Sequence, residues 1–237
     1  MPILNMIYWA TGGTPTREPW ADTVAYYPLE ANTNDYSGNN RNAVSTTWNL
    51  TFTTSTDGYA CANFPWSTYI EYWTQWSQIN YWTTWCTIAL WLWDIGNNAG
   101  TSYDTNGVLS WHVASDNNIL IWIASSNNVW GTGNLMFVSK NQAQAVTNSS
   151  LYNTNWMHLY TFTTATDGTM KYYKDSVLVG TYSFNFSSTP SWDDCKIWWN
   201  NRDTRQRRYY KGKMRQVVFE KKTRTADDVL LYYNTTK

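Results

Sequence analysis

The sequence predicts an all-β fold, and three observations carry that expectation. Aromatic residues make up 18% of the chain, with 17 Trp and 18 Tyr, and Thr occurs 33 times; such side chains fit the half-buried pleated surface of a strand. The apolar runs are short and separated by Asn, Gly, Ser and Asp clusters, the pattern of a sandwich or barrel. No alternation of strand and helix patterns appears, and one terminal helix is the only exception to β character. At 237 residues and 27.6 kDa the chain is one sandwich domain, since single sandwiches reach roughly 200–250 residues. That length buries a core without disulfides or metals.

Element by element, Met1 to Trp9 is apolar but lacks a basic n-region and leads into Thr11-Gly-Gly-Thr-Pro15. It reads as an arm and joint over residues 1–21, preceding a domain over 22–237, and not as a signal peptide. No segment approaches the roughly 18 uninterrupted apolar residues of a membrane span. The clearest central strands are 87–93, 107–113, 119–123 and 135–138, with turn chemistry at 97–102, 116–118 and 125–128. Residues 157–163 and 170–173 flank Asp167-Gly168, which closes a hairpin, and Asp175-Ser176 turns into 177–179. Residues 213–219 alternate as a strand. Thr225-Ala-Asp-Asp228 then offers an N-cap hydroxyl and an acid three residues on, ahead of Val229, Leu230, Tyr232 and Tyr233 at helical spacing. On this reading the strand residues Trp91, Trp111, Trp122 and Trp156 belong to the core.

Function classes narrow by exclusion. Three cysteines, Cys61, Cys86 and Cys195, allow at most one bridge, so no disulfide framework is expected. Two histidines and no Cys-x-x-Cys or His-Glu-x-x-His leave zinc almost without ligands. Neither a Gly-x-Ser-x-Gly elbow nor a phosphate-binding loop is present. The four Asn-x-Ser/Thr sequons are what 25 Asn and 33 Thr produce by chance.

The formal charge is zero, with 17 basic and 17 acidic residues, yet the charge is unevenly spread. Between 202 and 224 ten basic residues face two acidic ones: Arg202, Arg205, Arg207, Arg208, Lys211, Lys213, Arg215, Lys221, Lys222 and Arg224 against Asp203 and Glu220. This reads as a basic patch on an acidic body. It suits acidic glycans or docking on an acidic neighbour, or else it guards an edge strand against pairing. Nucleic acid is not an expected partner, because the acidic remainder repels phosphates.

Several segments resemble the LamG-like jelly-roll domain of the concanavalin A-like lectin/glucanase superfamily. Ala25-Tyr-Tyr-Pro-Leu-Glu30 with Asn34-Asp-Tyr-Ser-Gly-Asn39 is similar to that family's opening strand and turn, Thr87-Ile-Ala-Leu-Trp91 to its Trp-bearing strand, and Trp156-Met-His158 to its Trp-His strand start. Asp167-Gly168 through Asp175, and Lys211 through Asp228, follow in the same order, so the likeness covers about residues 22–234. It implies a two-sheet antiparallel jelly-roll sandwich. The family's usual Asp-Gly is Asp175-Ser176 here, which is expected to alter the turn, since Ser does not enter positive φ cheaply. A family acid is replaced at Arg215 or Gln216, which weakens a calcium inference. The glucanase branch carries Glu-x-Asp-x-x-Glu on one strand. Glu18, Glu30, Glu71 and Glu220, the only Glu residues, are not spaced for the paired carboxylates of hydrolysis, so an enzyme is not expected.

Sugar binding needs exposed rings beside amides or carboxylates. Tyr103, Asp104 and Asn106, Asn128 and Trp130, and Trp192, Asp194 and Asn200 supply that mixture. Calcium is the one cofactor suggested, at Asp193 and Asp194 with nearby Asn200, or else at Asp104 with Asn106, where oxygen ligands are close in sequence. Two functions follow. One is a non-catalytic lectin-like module recognising surface or extracellular glycans, at a cell or virion surface. The other is a structural or adhesion subunit, a fibre, decoration or surface-layer component that packs as a homo-oligomer or on a scaffold.

Overall fold

A computed structural model describes residues 22–46, 49–65, 68–72, 86–93, 106–112, 119–123, 135–139, 142–146, 156–183, 194–197, 199–200, 208–209 and 212–237; from 106 to 146 and from 194 to 209 it describes the backbone, with the side chain of Val108 in addition. The proposed arm, residues 1–21, lies outside this set.

In chain order the strands are β1 (Thr23–Tyr27), β2 (Ser45–Thr46), β3 (Thr51–Thr54), β4 (Ala60–Phe64), β5 (Ile70–Tyr72), β6 (Cys86–Trp93), β7 (Asn106–His112), β8 (Ile119–Ile123) and β9 (Leu135–Ser139). They continue with β10 (Gln142–Val146), β11 (Met157–Thr164), β12 (Thr169–Lys174), β13 (Val177–Ser183), β14 (Asp194–Ile197), β15 (Trp199–Asn200), β16 (Arg208–Tyr209) and β17 (Gly212–Glu220), and the chain closes on helix α1 (Ala226–Thr236). The first sheet runs β13-β12-β11-β6-β17-β4-β3, with β1 also on β17; the second runs β10-β9-β8-β7-β14-β5-β2; β15 and β16 pair separately. The described pairings are antiparallel, as in β6 with β11 and β17, or β7 with β8 and β14. The all-β architecture with one short terminal helix is therefore observed.

The strand period of two sorts the core. Along β6, Cys86, Ile88, Leu90 and Leu92 enter one cluster with Tyr160, Phe162, Tyr172 and Phe219 of the first sheet and Ile70, Tyr72 and Val108 of the second. Trp91 and Ala89 point the other way and join Leu159, Val218 and Tyr232 in a second cluster, under α1. The first sheet thus has two buried faces, one against its partner sheet and one against the helix. Removing these side chains from water is the main stabilising term, at roughly 1.5–3 kcal/mol for each large apolar residue.

Within β17 the alternation changes phase. Met214 faces the inter-sheet core, and so do Val217 and Phe219, which differ from it in parity. A bulge between Arg215 and Val218 inserts the extra residue, with Gln216 at φ 51° and its N–H donating to the Pro28 carbonyl at 2.8 Å. The bulge also changes neighbours: residues 212–214 pair with β4, and 217–220 pair with β1. β17 lies inside its sheet, so its charges do not guard an edge, and that expectation is corrected.

The turn after β1 is organised by one carboxylate. Asp35 accepts from the N–H groups of Tyr26, Ser37 and Arg41, each at 2.9 Å, and from the Ser37 hydroxyl at 2.8 Å. Gly38 supplies the positive φ of 86° that the turn needs. Asn39 Nδ2 donates to the Val24 carbonyl at 3.0 Å, tying the loop to β1.

Candidate functional site

Strand register places two of the sugar-contact candidates, Asn106 and Asp194, at opposite ends of β7. Asn106 opens β7 and pairs with Ile123 at the end of β8. Asp194 pairs with His112 at the other end of β7, about 20 Å away at the strand rise. β14 then runs back to the Leu109 level, and β15, with Asn200 opposite Arg208, follows it beside β7. The fold therefore places Asp194 and Asn106 at opposite ends of β7. Tyr103, Asp104, Asn128, Trp130, Trp192 and Asp193 lie outside the described residues, and Asn106, Asp194 and Asn200 are described through their backbone. Among the described residues no group of three or more His, Cys, Asp or Glu side chains converges on a metal position.

The basic segment is not one surface. Arg202, Arg205, Arg207 and Lys211 lie outside the described residues, and Arg208 is described through its backbone. Lys213 is half-buried; its Nζ donates to the Thr54 carbonyl at 3.1 Å and sits 4.9 Å from the Trp93 ring centroid. Arg215, expected in the patch, is fully buried. Its guanidinium lies 3.8 Å from the Tyr59 ring and 4.6 Å from the Trp91 ring, and Nη2 donates to the Thr236 carbonyl at 2.7 Å. Helix α1 has no basic residue in its last turn, so Arg215 brings the positive charge that a helix C-terminus favours. Burial lowers the guanidinium pKa from its ordinary value, opposed by Tyr59 and by the Asp57 carboxylate. Arg224 is also buried, bonded to Glu220 through Nε at 2.7 Å and Nη2 at 3.2 Å. Lys221 and Lys222 remain exposed.

The described glutamates lie on different elements: Glu30 after β1, Glu71 on β5 of the second sheet, and Glu220 on β17 of the first. Burial pushes the Cys61 thiol up to about 11 and the Cys86 thiol up to about 12, which suits packing residues and not nucleophiles.

Two features escaped the sequence reading. Trp156, expected in the core, is 60% exposed, because it stands one residue ahead of β11. Close by, His158 Nδ1 lies 2.5 Å from Oδ2 of Asp175. The Asp175-Ser176 turn adopts φ 49° and 68°, the positive pair a two-residue type I′ hairpin demands, so Ser176 does enter positive φ here. Asp175 holds it there: its N–H donates to the Leu159 carbonyl at 2.9 Å, and its Oδ1 accepts from the Leu159 N–H at 3.0 Å. The exposed indole carried a sequence signal in its position just before the strand, whereas the link to Asp175 had none.

No family model matches the chain, and no curated protein matches it. Solved structures do. Domain 4 of AbnA, a GH43 extracellular arabinanase from Geobacillus stearothermophilus solved with arabinotriose, aligns at TM-score 0.65 and 12% identity over 91% of this chain and 98% of that one. A botulinum neurotoxin type C structure, described as dependent for cell entry on two ganglioside molecules, aligns at TM-score 0.63 and 16% identity over 91% of this chain and 51% of that one. The binding domain of Paraclostridial Mosquitocidal Protein 1 aligns at TM-score 0.66 and 14% identity over 90% of this chain and 52% of that one. The chain thus spans about half the length of the toxin chains. At these identities the likeness establishes the β-sandwich fold that the strands already display.

Proposed function

We propose that the chain is a non-catalytic carbohydrate-binding module on a LamG-like jelly roll, acting at an extracellular, cell or virion surface. The observation that carries this reading is the two-sheet sandwich itself, which aligns over 91% of its length with a domain solved with arabinotriose. The mixture of rings, amides and a carboxylate that Tyr103, Asp104, Asn106, Asn128 and Trp130 supply in the sequence supports it, since sugar binding needs that mixture. The absence of the paired-carboxylate motif from the sequence supports binding without hydrolysis. Calcium at Asp193 and Asp194 is a separate proposal, tested by adding a chelator. The test of function is a glycan array probed with the full chain and with Trp130→Ala and Trp192→Ala. Specific binding that Trp130→Ala abolishes and Trp192→Ala keeps is the expected result; a clean array with the unaltered chain overturns the proposal.

A second reading, a structural or assembly subunit, is favoured by one observation. Edge strand β3 is exposed along its whole length and carries no charge, which leaves it open to pairing with another chain.

A further inference from the structure

Two octapeptides of the chain differ at one position: Thr51-Phe-Thr-Thr-Ser-Thr-Asp-Gly58 and Thr161-Phe-Thr-Thr-Ala-Thr-Asp-Gly168. Each forms a strand of the first sheet and the turn after it, β3 before β4 and β11 before β12. The turns match, since Ser55 N–H donates to the Tyr59 carbonyl and Ala165 N–H to the Thr169 carbonyl, both at 2.8 Å. Backbone groups alternate in direction along an antiparallel strand. Thr51 and Thr53 therefore turn N–H and C=O toward β4, as Thr161 and Thr163 do toward β12, while Phe52 and Thr54 turn theirs away, as Phe162 and Thr164 do. On that second side β11 meets β6, with Phe162 opposite Ile88 and Thr164 opposite Cys86. Among the described residues β3 meets no strand there; Lys213 Nζ takes one lone pair of the Thr54 carbonyl. One sequence is thus buried in β11 and exposed in β3, with Phe162 at 1% and Phe52 at 37%. The other described edges of this sheet are protected. Along β1, Asp35 accepts from the Tyr26 N–H, and Tyr36 N–H donates to the Tyr26 carbonyl at 2.8 Å. β13 is interrupted by a bulge opposite Tyr172 and Tyr173, a device that turns a further strand away. β3 keeps a regular register and has neither charge nor proline.

We propose that β3 is the docking edge for a second copy of this chain, whose own β3 adds antiparallel and fills the position that β6 holds beside β11. The inference rests on the assembly reading, to which it gives a surface, a partner and a register, and it does not depend on sugar binding. A two-fold axis normal to the sheet keeps each face on its own side, so opposed residues share the same parity. With the axis at Phe52, that residue meets Phe52 of the second copy and exchanges both backbone bonds with it. Its ring, on the Ala62 side of the sheet, gains an aromatic cross-strand partner. On the Cys61 side Thr51 meets Thr53 of the second copy, and such hydroxyl pairs hydrogen-bond across strands. The strand carries no charge, so like copies meet there without repulsion. A four-residue ladder buries far less than the roughly 1,200 Å² of a stable complex. The dilute chain therefore stays monomeric, and pairing sets in as the concentration rises or where copies are held side by side.

The experiment is sedimentation velocity of the full chain under reducing conditions, from about 10 μM to about 1 mM, alongside thermal unfolding of each dilute protein. Thr54→Pro removes an outward N–H and leaves the β4 ladder intact, since proline is tolerated on an edge strand whose N–H faces away. Thr53→Lys sets a charge against Thr51 of the second copy, and adding Thr51→Glu turns both crossings into opposite-charge pairs. The expected result is a monomer–dimer equilibrium entered above about 0.1 mM. Thr54→Pro and Thr53→Lys each weaken it about tenfold or more, and Thr51→Glu with Thr53→Lys returns it to within about threefold of the original. The dilute variants should melt with the unaltered chain. A dimer that Thr54→Pro and Thr53→Lys both leave intact lies on another surface, which refutes this edge and leaves the assembly reading standing. A chain that stays monomeric up to about 1 mM removes this edge and assembly between copies together. A loss in Thr53→Lys that Thr51→Glu does not restore, or growth past the dimer into filaments, also overturns the proposal, the last because a two-fold contact closes on itself.

Discussion

Arg215 shows what one side chain can do when its surroundings are aromatic. A guanidinium stripped of water needs compensation, and here two ring faces and the Thr236 carbonyl supply it. Trp91 takes part in the same junction, its Nε1 donating to the Thr236 hydroxyl at 3.1 Å and its ring stacking 5.8 Å from Tyr233. Arg215→Ala is expected to lower stability by about 2–4 kcal/mol, from a lost charged hydrogen bond and lost cation–π contact. Arg215→Met, which keeps volume and removes the desolvated charge, should lose less. Urea midpoints of the two variants, read with unchanged slopes, check this ranking. In the sequence, Arg215 is one of ten cations in a run, and no count of charges marks it as the one under the helix. Trp156 is the converse case: a residue type that suggested burial on a strand, reversed because β11 begins only at Met157.

Among the elements, the hairpins were legible to different degrees for one kind of reason. Thr54-Ser-Thr-Asp-Gly58 and Thr164-Ala-Thr-Asp-Gly168 share their chemistry, and the structure gives them the same turn. Gly58 N–H donates to the Ser55 carbonyl and Gly168 N–H to the Ala165 carbonyl, both at 3.0 Å, and both glycines have positive φ. The second was recognised because Met157–Thr163 and Met170–Tyr173 flank it with apolar alternation. The first was missed because β3 is Thr51-Phe-Thr-Thr54, exposed throughout, without an apolar face to announce a strand. The Asp175-Ser176 turn yields a direct test: Ser176→Gly removes a left-handed L residue and should raise stability by about 1 kcal/mol, measured as an increase in the thermal or urea midpoint.

Helix α1 was the most readable element, since its capping box is present in full, with Thr225 Oγ1 accepting from Asp228 N–H at 3.2 Å and Asp228 Oδ2 accepting from Thr225 N–H at 3.0 Å. Leu230, placed on its apolar face from the sequence, is exposed, and the buried residues are Val229, Tyr232 and Thr236. For the Asp228 carboxyl, partial burial acts to raise the pKa, but the Thr225 hydrogen bonds and the Arg224 and Lys222 charges hold it below the usual carboxylate value. A depressed folded pKa means that its contribution is complete above the unfolded carboxylate value and is lost as pH falls through the folded one. Asp228→Asn should therefore lose stability at neutral pH and show a flatter decline in acid, read from unfolding midpoints across pH 2–7, an interval set by the ordinary range of carboxylates.

At the scale of the molecule, the burial of Arg215 and Arg224 weakens the case for assembly through a basic face. Two of the cations between 202 and 224 are spent inside the first sheet and its helix, one of them neutralised by Glu220. The chain is expected to scatter light as a 27.6 kDa monomer at both low and high salt. A salt-sensitive oligomer would return the assembly reading to first place, because screening acts on exposed charges and barely on buried ones.

The sequence by itself determined the all-β class, the strands along β6, β8, β11 and β17, and the capped terminal helix, because period, propensity and capping are local properties that neighbours in the chain decide. It also marked out which segments carry rings beside amides. Only the tertiary structure decided that β17 is interior and bulged, so that Met214 and Val217 both reach the core. Only the structure placed Arg215 beneath a helix end, put Asn106 and Asp194 at opposite ends of β7, and clamped Asp175 between His158 and Leu159. Those outcomes depend on strand order and register, which pair residues far apart in sequence, and the free energy of such contacts exists only once both partners are in place.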